Sequence, residues 1–215
     1  LPLVNVPFVC YQIQALRRHG IREILLAVGS DAAPFVDALG DGSRFGARIH
    51  YMTESKPLGT GGAIKNAASF LADGPFFVLN GDVLSGIDLS AMAVFHRAHK
   101  AVATIAGVVV EDPTQFGLLE IGEEGRLTAF LEKPDAGGSG VINAGVYLFE
   151  PAVMEMLSEH FPLSIEREVF PALVGAGVPV YGYVSRGYWR DIGTCEQFFS
   201  ATGDILKGRC AELFS

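Results

Sequence analysis

An uninterrupted apolar run that ends in polar residues sets the strongest limit on how this chain folds. Phe76 to Leu79 are four consecutive apolar residues, and the next three are Asn80, Gly81 and Asp82. A run of this length predicts a strand covered on both faces by other layers. Open α/β sheets bind ligands at the carboxyl ends of their strands. The carboxylate of Asp82 is therefore expected at a ligand crevice, although Asn-Gly is also a common turn.

Strand and helix patterns alternate along the first half of the chain. Strands are predicted near residues 23–29, 48–52, 76–79 and 102–110, and helices over 7–19, 34–39, 63–71 and 88–99. A β-hairpin is predicted at 116–132, followed by strands at 141–149 and 178–184 and a last helix from about residue 196. No linker divides this series of strands and helices. The series predicts one three-layer α/β domain with a mixed sheet over residues 1–215.

The charge balance argues against two classes of partner. The net charge is −8, with 16 Lys and Arg against 24 Asp and Glu. Nucleic acids and anionic membranes both need a basic protein surface, so neither is expected as a partner. The apolar run at residues 101–110 is too short to cross a bilayer as a helix. Cys10, Cys195 and Cys210 are an odd set without metal-type spacing, which is typical of reduced thiols in the cytoplasm.

A glycine-rich loop precedes the helix predicted at residues 63–71. Its sequence is Leu58, Gly59, Thr60, Gly61 and Gly62. Such a loop offers free N–H groups and the positive end of a helix dipole to an anion or to the edge of a base. It is not a dinucleotide fingerprint, because position 64 is not glycine. A purely structural turn fits the same residues equally well.

Two further charged residues suit a phosphate-binding crevice. Lys133 follows Glu132 at the end of a predicted strand and precedes Pro134, which would fix the backbone there. An ordinary surface lysine is the more common role. Asp191 is a second carboxylate that, together with Asp82, suits a Mg²⁺ ion bridging phosphates. The alternative role for Asp191 is the N-cap of the last helix.

The strand predicted at 141–149 contains the sequence Asn143, Ala144 and Gly145. A glycine inside a strand often marks the close approach of a ligand. The five histidines show no spacing typical of a metal site or a catalytic triad, and no Ser or Cys lies in a nucleophile-elbow pattern. The sequence therefore predicts binding groups and no protein nucleophile.

Seven short segments in this order resemble the sugar-1-phosphate nucleotidyltransferases, also called NDP-sugar pyrophosphorylases, and among them bacterial mannose-1-phosphate guanylyltransferases. They are residues 1–7, 54–63, 80–82, 116–117, 130–134, 143–147 and 187–194. Each is short, but the ordered set spans nearly the whole chain. The resemblance implies a three-layer Rossmann-like nucleotidyltransferase fold with a mixed, mostly parallel sheet and a β-hairpin insertion.

The resemblance also implies a role for each matching residue. Asp82, Lys133 and Asp191 would be catalytic, and Asp82 and Asp191 would hold Mg²⁺. Lys133 would bind the phosphate of the sugar 1-phosphate. The nucleotide would be bound by Leu58, Gly59, Thr60, Gly61, Gly62 and Gly81. The sugar pocket would be lined by Gly117, Glu132, Asn143, Ala144 and Gly145, with Glu132 holding sugar hydroxyls.

The implied reaction joins an NTP to a sugar 1-phosphate and releases pyrophosphate, with GTP and mannose 1-phosphate as the favoured pair and GDP-mannose as the product. It needs no protein nucleophile. Two alternatives stay open: the same reaction with dTTP or UTP and glucose 1-phosphate, and a non-catalytic regulatory relative that binds an NDP-sugar. A homo-oligomer is also left open.

One part of the family pattern is absent from this sequence. The family opens with a strand and a G-G-x-G-T-R-L-x-P loop followed by P-K-P, just before the position of Leu1. We expect the domain as given to lack this N-terminal strand and Gly-rich signature loop, which would wrap the triphosphate. Whether they lie upstream, and whether a C-terminal β-helix follows Ser215, is left open.

Overall fold

A computed structural model describes residues 2–135 and 137–213, so Leu1, the first residue of one resembling segment, lies outside the described residues. The helices are α1 (Phe8–Arg18), α2 (Ala33–Leu39), α3 (Thr60–Asn66), α4 (Leu89–Ala98), α5 (Val153–Met156), α6 (Phe170–Gly175) and α7 (Cys195–Leu206). A π-helical turn, Ile165–Val169, leads into α6. The strands are β1 (Pro2–Leu3), β2 (Val6–Pro7), β3 (Glu23–Val28), β4 (Arg48–Thr53), β5 (Phe76–Leu79), β6 (Val83–Ser85), β7 (Ala103–Val110), β8 (Gly117–Ile121), β9 (Leu127–Glu132), β10 (Gly140–Phe149), β11 (Val180–Ser185) and β12 (Trp189–Asp191).

The long strand β10 is the centre of a six-stranded sheet. Strand β7 pairs along one edge of β10, while β8 and β5 share the other edge, and β11 and β9 extend the two sides. The sheet is mixed, as predicted. Its parallel pairing is β7 with β11, and β3 and β4 form a second, parallel pair outside it. Antiparallel pairings are the more numerous in the described strands, which differs from the mostly parallel sheet that the resemblance implies, because β10 runs opposite to each strand that it contacts.

Alternation along β7 places an apolar core on each face of the sheet. Ala103 and Ile105 contact an aromatic cluster that includes side chains of β10 and α6. Ala106 and Val108 face the opposite way and pack in a cluster with side chains of α1 and α4. This period of two residues creates the middle layer of the three-layer fold. The predicted β-hairpin is β8–β9, in which Gly117 pairs with Glu132.

Phe76–Leu79 packs against a core cluster on each face, as expected, but the strand is less buried than the apolar run predicts. Phe76 is buried, whereas the other three residues of β5 are half-buried. Among the described residues, β5 pairs only with β10, so its second edge has no strand against it. The parallel pair β3–β4 is likewise only partly buried. In the described residues, no helix has both the length and the apolar character that crossing a membrane requires.

Most helix boundaries follow their sequence signals. Asp88 caps α4 by accepting a hydrogen bond from the N–H of Ala91, as its position predicts. Helix α3 begins at Thr60, inside the glycine-rich loop, rather than at residue 63 as predicted. Strands β6 and β12 are not predicted by the sequence patterns.

Substitution of Phe170 tests how much the aromatic core contributes to stability. Its side chain is 0% exposed, and its ring lies 5.1 Å from that of Phe130 and 5.2 Å from that of Tyr147. Phe170→Ala should lower the free energy of unfolding by about 3–5 kcal/mol because it leaves a cavity. Phe199, which is 73% exposed on α7, provides the matched control, and Phe199→Ala should cost less than about 0.5 kcal/mol. Urea denaturation measures both, and equal losses would contradict this view of the core.

Candidate functional site

Asp82 and Asp191 lie on two strands that pair with each other. Residues 80–82 connect β5 to β6, so Asp82 directly precedes β6. Strand β12 runs antiparallel to β6 and places Asp191 opposite Val83. The N–H of Ile192 donates a 2.9 Å hydrogen bond to the carbonyl of Asp82. The backbone therefore brings together two carboxylates that are far apart in the sequence.

The two carboxylates converge at Gly193. The position of a Cβ on this glycine is 3.1 Å from Oδ1 of Asp191 and 3.7 Å from Oδ2 of Asp82. These oxygens lie no farther apart than the sum of the two distances, which is well below the ~10 Å that would exclude a shared ion. The N–H of Gly193 also donates a 2.7 Å hydrogen bond to Oδ1 of Asp191. A side chain at position 193 would intrude between the two acids.

The electrostatic environment of the pair favours a cation. Partial loss of water around the Asp82 carboxylate raises its pKa, and the negative charge of Asp191 raises it further. Asp82 is nevertheless open to solvent on its other side. Because each acid disfavours the charge of the other, a cation between them would relieve their repulsion.

Strand β12 is anchored by the residue that precedes Asp191. Arg190 donates hydrogen bonds from Nε and Nη2 to Oδ2 of Asp204 at 2.9 and 2.8 Å. Asp204 is only 3% exposed. Burial acts to raise its pKa, but hydrogen bonds from Tyr188 and Arg190 outweigh burial and hold the pKa below its usual value. This ion pair fixes the strand that carries Asp191.

The alternative role of Asp191 as a helix cap is wrong. Thr194 caps α7, since its hydroxyl accepts a 3.2 Å hydrogen bond from the N–H of Gln197. Two residues before Asp191, the indole of Trp189 donates a 3.0 Å hydrogen bond to the carbonyl of Ala144. Ala144, expected at the sugar pocket, thus has its carbonyl occupied by β12.

Lys133 lines a cavity of about 700 Å³ next to β9 and the π-helical turn. Its backbone has a φ of 49°, which is uncommon for a residue with a side chain, and its N–H donates a 3.1 Å hydrogen bond to Phe116. The side chain is exposed, and no carboxylate forms an ion pair with it in the part of the chain that the structure describes. Glu132, Glu166 and Arg167 line the same cavity. The ammonium group is therefore available to an anionic ligand.

The neighbours of Gly117 leave no room for a side chain at this position. A Cβ at this position would lie 2.6 Å from the ring of Phe130 and 3.2 Å from Oε2 of Glu132. The absence of that Cβ lets the carboxylate of Glu132 lie over β8, beside the cavity that contains Lys133. Gly117 thus shapes the predicted sugar pocket by making room for Glu132.

The residues expected at the sugar pocket in β10 form a bulge. The pairing register of β10 with β7 shifts between Asn143 and Tyr147. Asn143 donates a 2.9 Å hydrogen bond to the hydroxyl of Tyr147 and accepts one of 3.0 Å from the N–H of Gly145. Gly145 has a φ of 68°, and a Cβ there would lie 2.9 Å from the amide nitrogen of Asn80. Much of the Asn143 side chain is therefore used to hold the bulge.

The glycine-rich loop packs against residues 161–163. The N–H groups of Gly61 and Gly62 both donate to the carbonyl of Leu163, at 2.9 and 3.3 Å. A Cβ on Gly59 would clash with that same carbonyl. The expectation that this loop offers free N–H groups is wrong at Gly61 and Gly62, because Leu163 already occupies them.

Glu166 is a candidate site residue that the sequence analysis missed. Its Oε2 accepts hydrogen bonds from the hydroxyls of Thr60, at 2.9 Å, and Ser164, at 3.1 Å. Burial is the main reason that the pKa of Tyr147 is raised, and the charge of Glu166 adds to that effect. Glu166 also faces the cavity of Lys133. A glutamate two residues after a serine is an ordinary helix-start pattern, so the sequence carries no signal for this role.

Substitution of Gly59 tests how the glycine-rich loop packs against Leu163, and substitution of Gly177 is the control. Both have a positive φ, 78° and 70°, but a Cβ on Gly177 would meet nothing within 4 Å. Gly177→Ala should cost about 1–2 kcal/mol through its backbone alone. Gly59→Ala should cost a further ~1–3 kcal/mol, because the Leu163 carbonyl must move and because a ψ of 168° places Gly59 in a backbone region that is essentially restricted to glycine. Chemical denaturation compares the two, and equal costs would show that the loop does not depend on this contact.

Comparison with known sequences identifies the relatives of this chain. The profile of the family described as nucleotidyl transferase matches residues 1–208. The mannose-1-phosphate guanylyltransferase of Mycobacterium tuberculosis is 43% identical over 209 residues, which cover 97% of this chain and 58% of the relative. The mannose-1-phosphate guanyltransferase 2 of Candida glabrata is 36% identical over 96% of this chain and 59% of its own length. The chain thus spans less than two thirds of these curated relatives.

Solved structures show the same fold. HddC from Yersinia pseudotuberculosis superimposes with a TM-score of 0.82 at 26% identity, over 95% of this chain and 88% of HddC. HddC has also been solved in complex with GMP-PN, and that structure gives a TM-score of 0.80. A putative glucose-1-phosphate thymidylyltransferase from Bacillus anthracis gives 0.85 over 94% of this chain and 84% of its own, at 22% identity, and is similar in fold alone. The predicted Rossmann-like α/β fold is confirmed, and the match over residues 1–208 shows that the chain belongs to the nucleotidyl transferase family.

Proposed function

We propose that the protein transfers a nucleotidyl group from GTP to mannose 1-phosphate, giving GDP-mannose and pyrophosphate. The observation that carries the proposal is the convergence of Asp82 and Asp191 at Gly193. The relatives from Mycobacterium tuberculosis and Candida glabrata, both named for this reaction, support the choice of substrates. The HddC structure with GMP-PN supports a nucleotide ligand.

The donor set at this site suits Mg²⁺. Mg²⁺ is usually held by one or two carboxylates together with substrate phosphates and water. Asp82 and Asp191 supply two such carboxylates, and the described residues contain no cluster of three or more acidic, histidine or cysteine ligands. Asp82 and Asp191 would therefore hold the ion and leave positions for phosphate oxygens. When bound, Mg²⁺ would neutralise negative charge on the phosphates.

The remaining residues bind and orient the substrates. Lys133 would hold the phosphate of mannose 1-phosphate, with Glu132 and Glu166 facing sugar hydroxyls in the same cavity. The loop of residues 58–62 would contact the base, and Gly81 would allow the nucleotide to approach the turn before Asp82. An oxygen of the sugar phosphate would attack the α-phosphorus in line as pyrophosphate leaves. Catalysis then comes from positioning and charge neutralisation, without a protein nucleophile.

A pyrophosphate-release assay on the complete natural protein, with four NTPs and several sugar 1-phosphates, tests this proposal. GTP with mannose 1-phosphate should give the highest kcat/KM. Asp82→Asn should lower Mg²⁺-dependent turnover at least ~100-fold without lowering the unfolding transition. Faster turnover of dTTP or UTP with glucose 1-phosphate would overturn the choice of substrates. No turnover of any pair, with binding of an NDP-sugar retained, would instead indicate a regulatory protein.

Lys133→Ala tests the site of the sugar phosphate. Losing a charge-assisted contact to phosphate should raise the KM for mannose 1-phosphate roughly 10- to 150-fold and change the KM for GTP far less. Lys100 is a matched control, since it is also exposed and has a φ of 48° beside the 49° of Lys133. Lys100→Ala should leave both KM values unchanged. Equal increases for the two substrates in Lys133→Ala would show that Lys133 does not bind the sugar phosphate.

A further inference from the structure

Gln12 reaches from α1 to the turn that carries Asp82. Its side-chain nitrogen donates a 2.7 Å hydrogen bond to the carbonyl of Asn80 and a 3.2 Å hydrogen bond to the carbonyl of Val83. These carbonyls lie on the two sides of Gly81 and Asp82. Gln12 itself is half-buried, on a helix whose neighbouring residues Tyr11 and Ile13 are buried. One amide group thus holds both ends of the two-residue segment that presents the carboxylate.

Elsewhere the same segment is held by backbone hydrogen bonds and by a side-chain hydrogen bond between Asn80 and Tyr147. The N–H of Asn80 donates to Gly145, and the carbonyl of Asp82 accepts from Ile192. A Cβ on Gly81 would meet nothing within 4 Å, so no apolar packing fixes the middle of the turn. Its position depends on these hydrogen bonds, and Gln12 supplies the contacts that come from the helix layer.

We infer that Gln12 is a positioning residue for Asp82, which acts through the backbone of residues 80–83 to keep that carboxylate facing Asp191. The inference rests on the proposed function, in which the two acids share a metal ion. Residues that hold the ligands of a metal in place typically change its affinity 10- to 100-fold when they are replaced. Gln12 forms no hydrogen bond with either carboxylate, so it acts only through the position of Asp82.

The chemistry of position 12 requires a side-chain donor. Two carbonyl oxygens face the same atom, and both N–H groups of the Gln12 amide are used to meet them. An ionised glutamate in this place has only acceptors, so it would repel both carbonyls and add negative charge near Asp82. A methionine has a similar length and helix propensity but no donor. Gln12→Glu should therefore be more damaging than Gln12→Met.

The experiment compares these two variants with Gln14→Glu and Gln14→Met in the complete protein. Gln14 is an exposed residue on the same helix, so its variants match the change in composition and charge. Binding of Mn²⁺ alone is measured from the loss of the free-ion EPR signal. The Mg²⁺ concentration for half-maximal turnover and the KM for mannose 1-phosphate are measured alongside. A crystal structure of Gln12→Met reports the separation of the Asp82 and Asp191 carboxylates.

Gln12→Met should weaken Mn²⁺ binding about tenfold or more and raise the Mg²⁺ requirement, while the KM for mannose 1-phosphate stays within about twofold. The Gln14 variants should match the wild type. Lower stability with unchanged Mn²⁺ affinity, or unchanged geometry of the two acids in the crystal, would overturn the inference. If the wild type neither binds Mn²⁺ nor turns over, the proposed function fails, and the crystal structure alone decides whether Gln12 positions Asp82.

Discussion

The bulge in β10 is the constraint on which the candidate site depends. Its backbone carbonyls accept hydrogen bonds from both segments that carry the acids. The carbonyl of Gly145 accepts from Asn80, which leads to Asp82, and the carbonyl of Ala144 accepts from the indole of Trp189, which leads to Asp191. The bond from Asn80 continues the register of the β5–β10 ladder, in which Leu79 pairs with Val146, whereas the bond from Trp189 uses a carbonyl in the stretch where the β7 pairing shifts. The central strand therefore supplies the acceptors that bring two distant segments to one place.

The candidate site also brings several negatively charged carboxylates close together. Asp82 and Asp191 share a small space, and Glu166 adds a third carboxylate nearby, whose charge acts on both Asp82 and Tyr147. Like charges at this distance oppose folding unless other contacts outweigh them. The buried ion pair of Arg190 with Asp204 and the pairing of β6 with β12 supply those contacts. Rigid supports beside repelling acids are typical of a site prepared for a cation.

The sequence predicts the regular elements well and the contacts between them poorly. Periodicity and caps place α1, α4 and the hairpin, and the strand at Phe76–Leu79 ends before Asp82, as its polar end predicts. Strand β12 is missed because three residues show no period. The sequence does not predict the roles of Gln12 and Leu163 for another reason. Each role depends on a hydrogen bond to a backbone carbonyl, and every residue has such a carbonyl. The burial of β5 is overestimated because an apolar run cannot tell how many of its edges are paired.

The glycines of the candidate site show how far a sequence pattern can identify a ligand contact. A glycine that the protein needs for its own packing gives no evidence about a ligand, since its Cβ would collide with protein atoms in any case. Gly59, Gly61 and Gly62 are of this kind, because Leu163, Phe161 and Leu58 occupy the space beside them. Gly81 is different: apart from its chain neighbours, none of the described residues places an atom within 4 Å of its Cβ position, and it directly precedes Asp82. Gly81 and the acids beside it, rather than the longer glycine-rich loop, therefore indicate the close approach of a ligand.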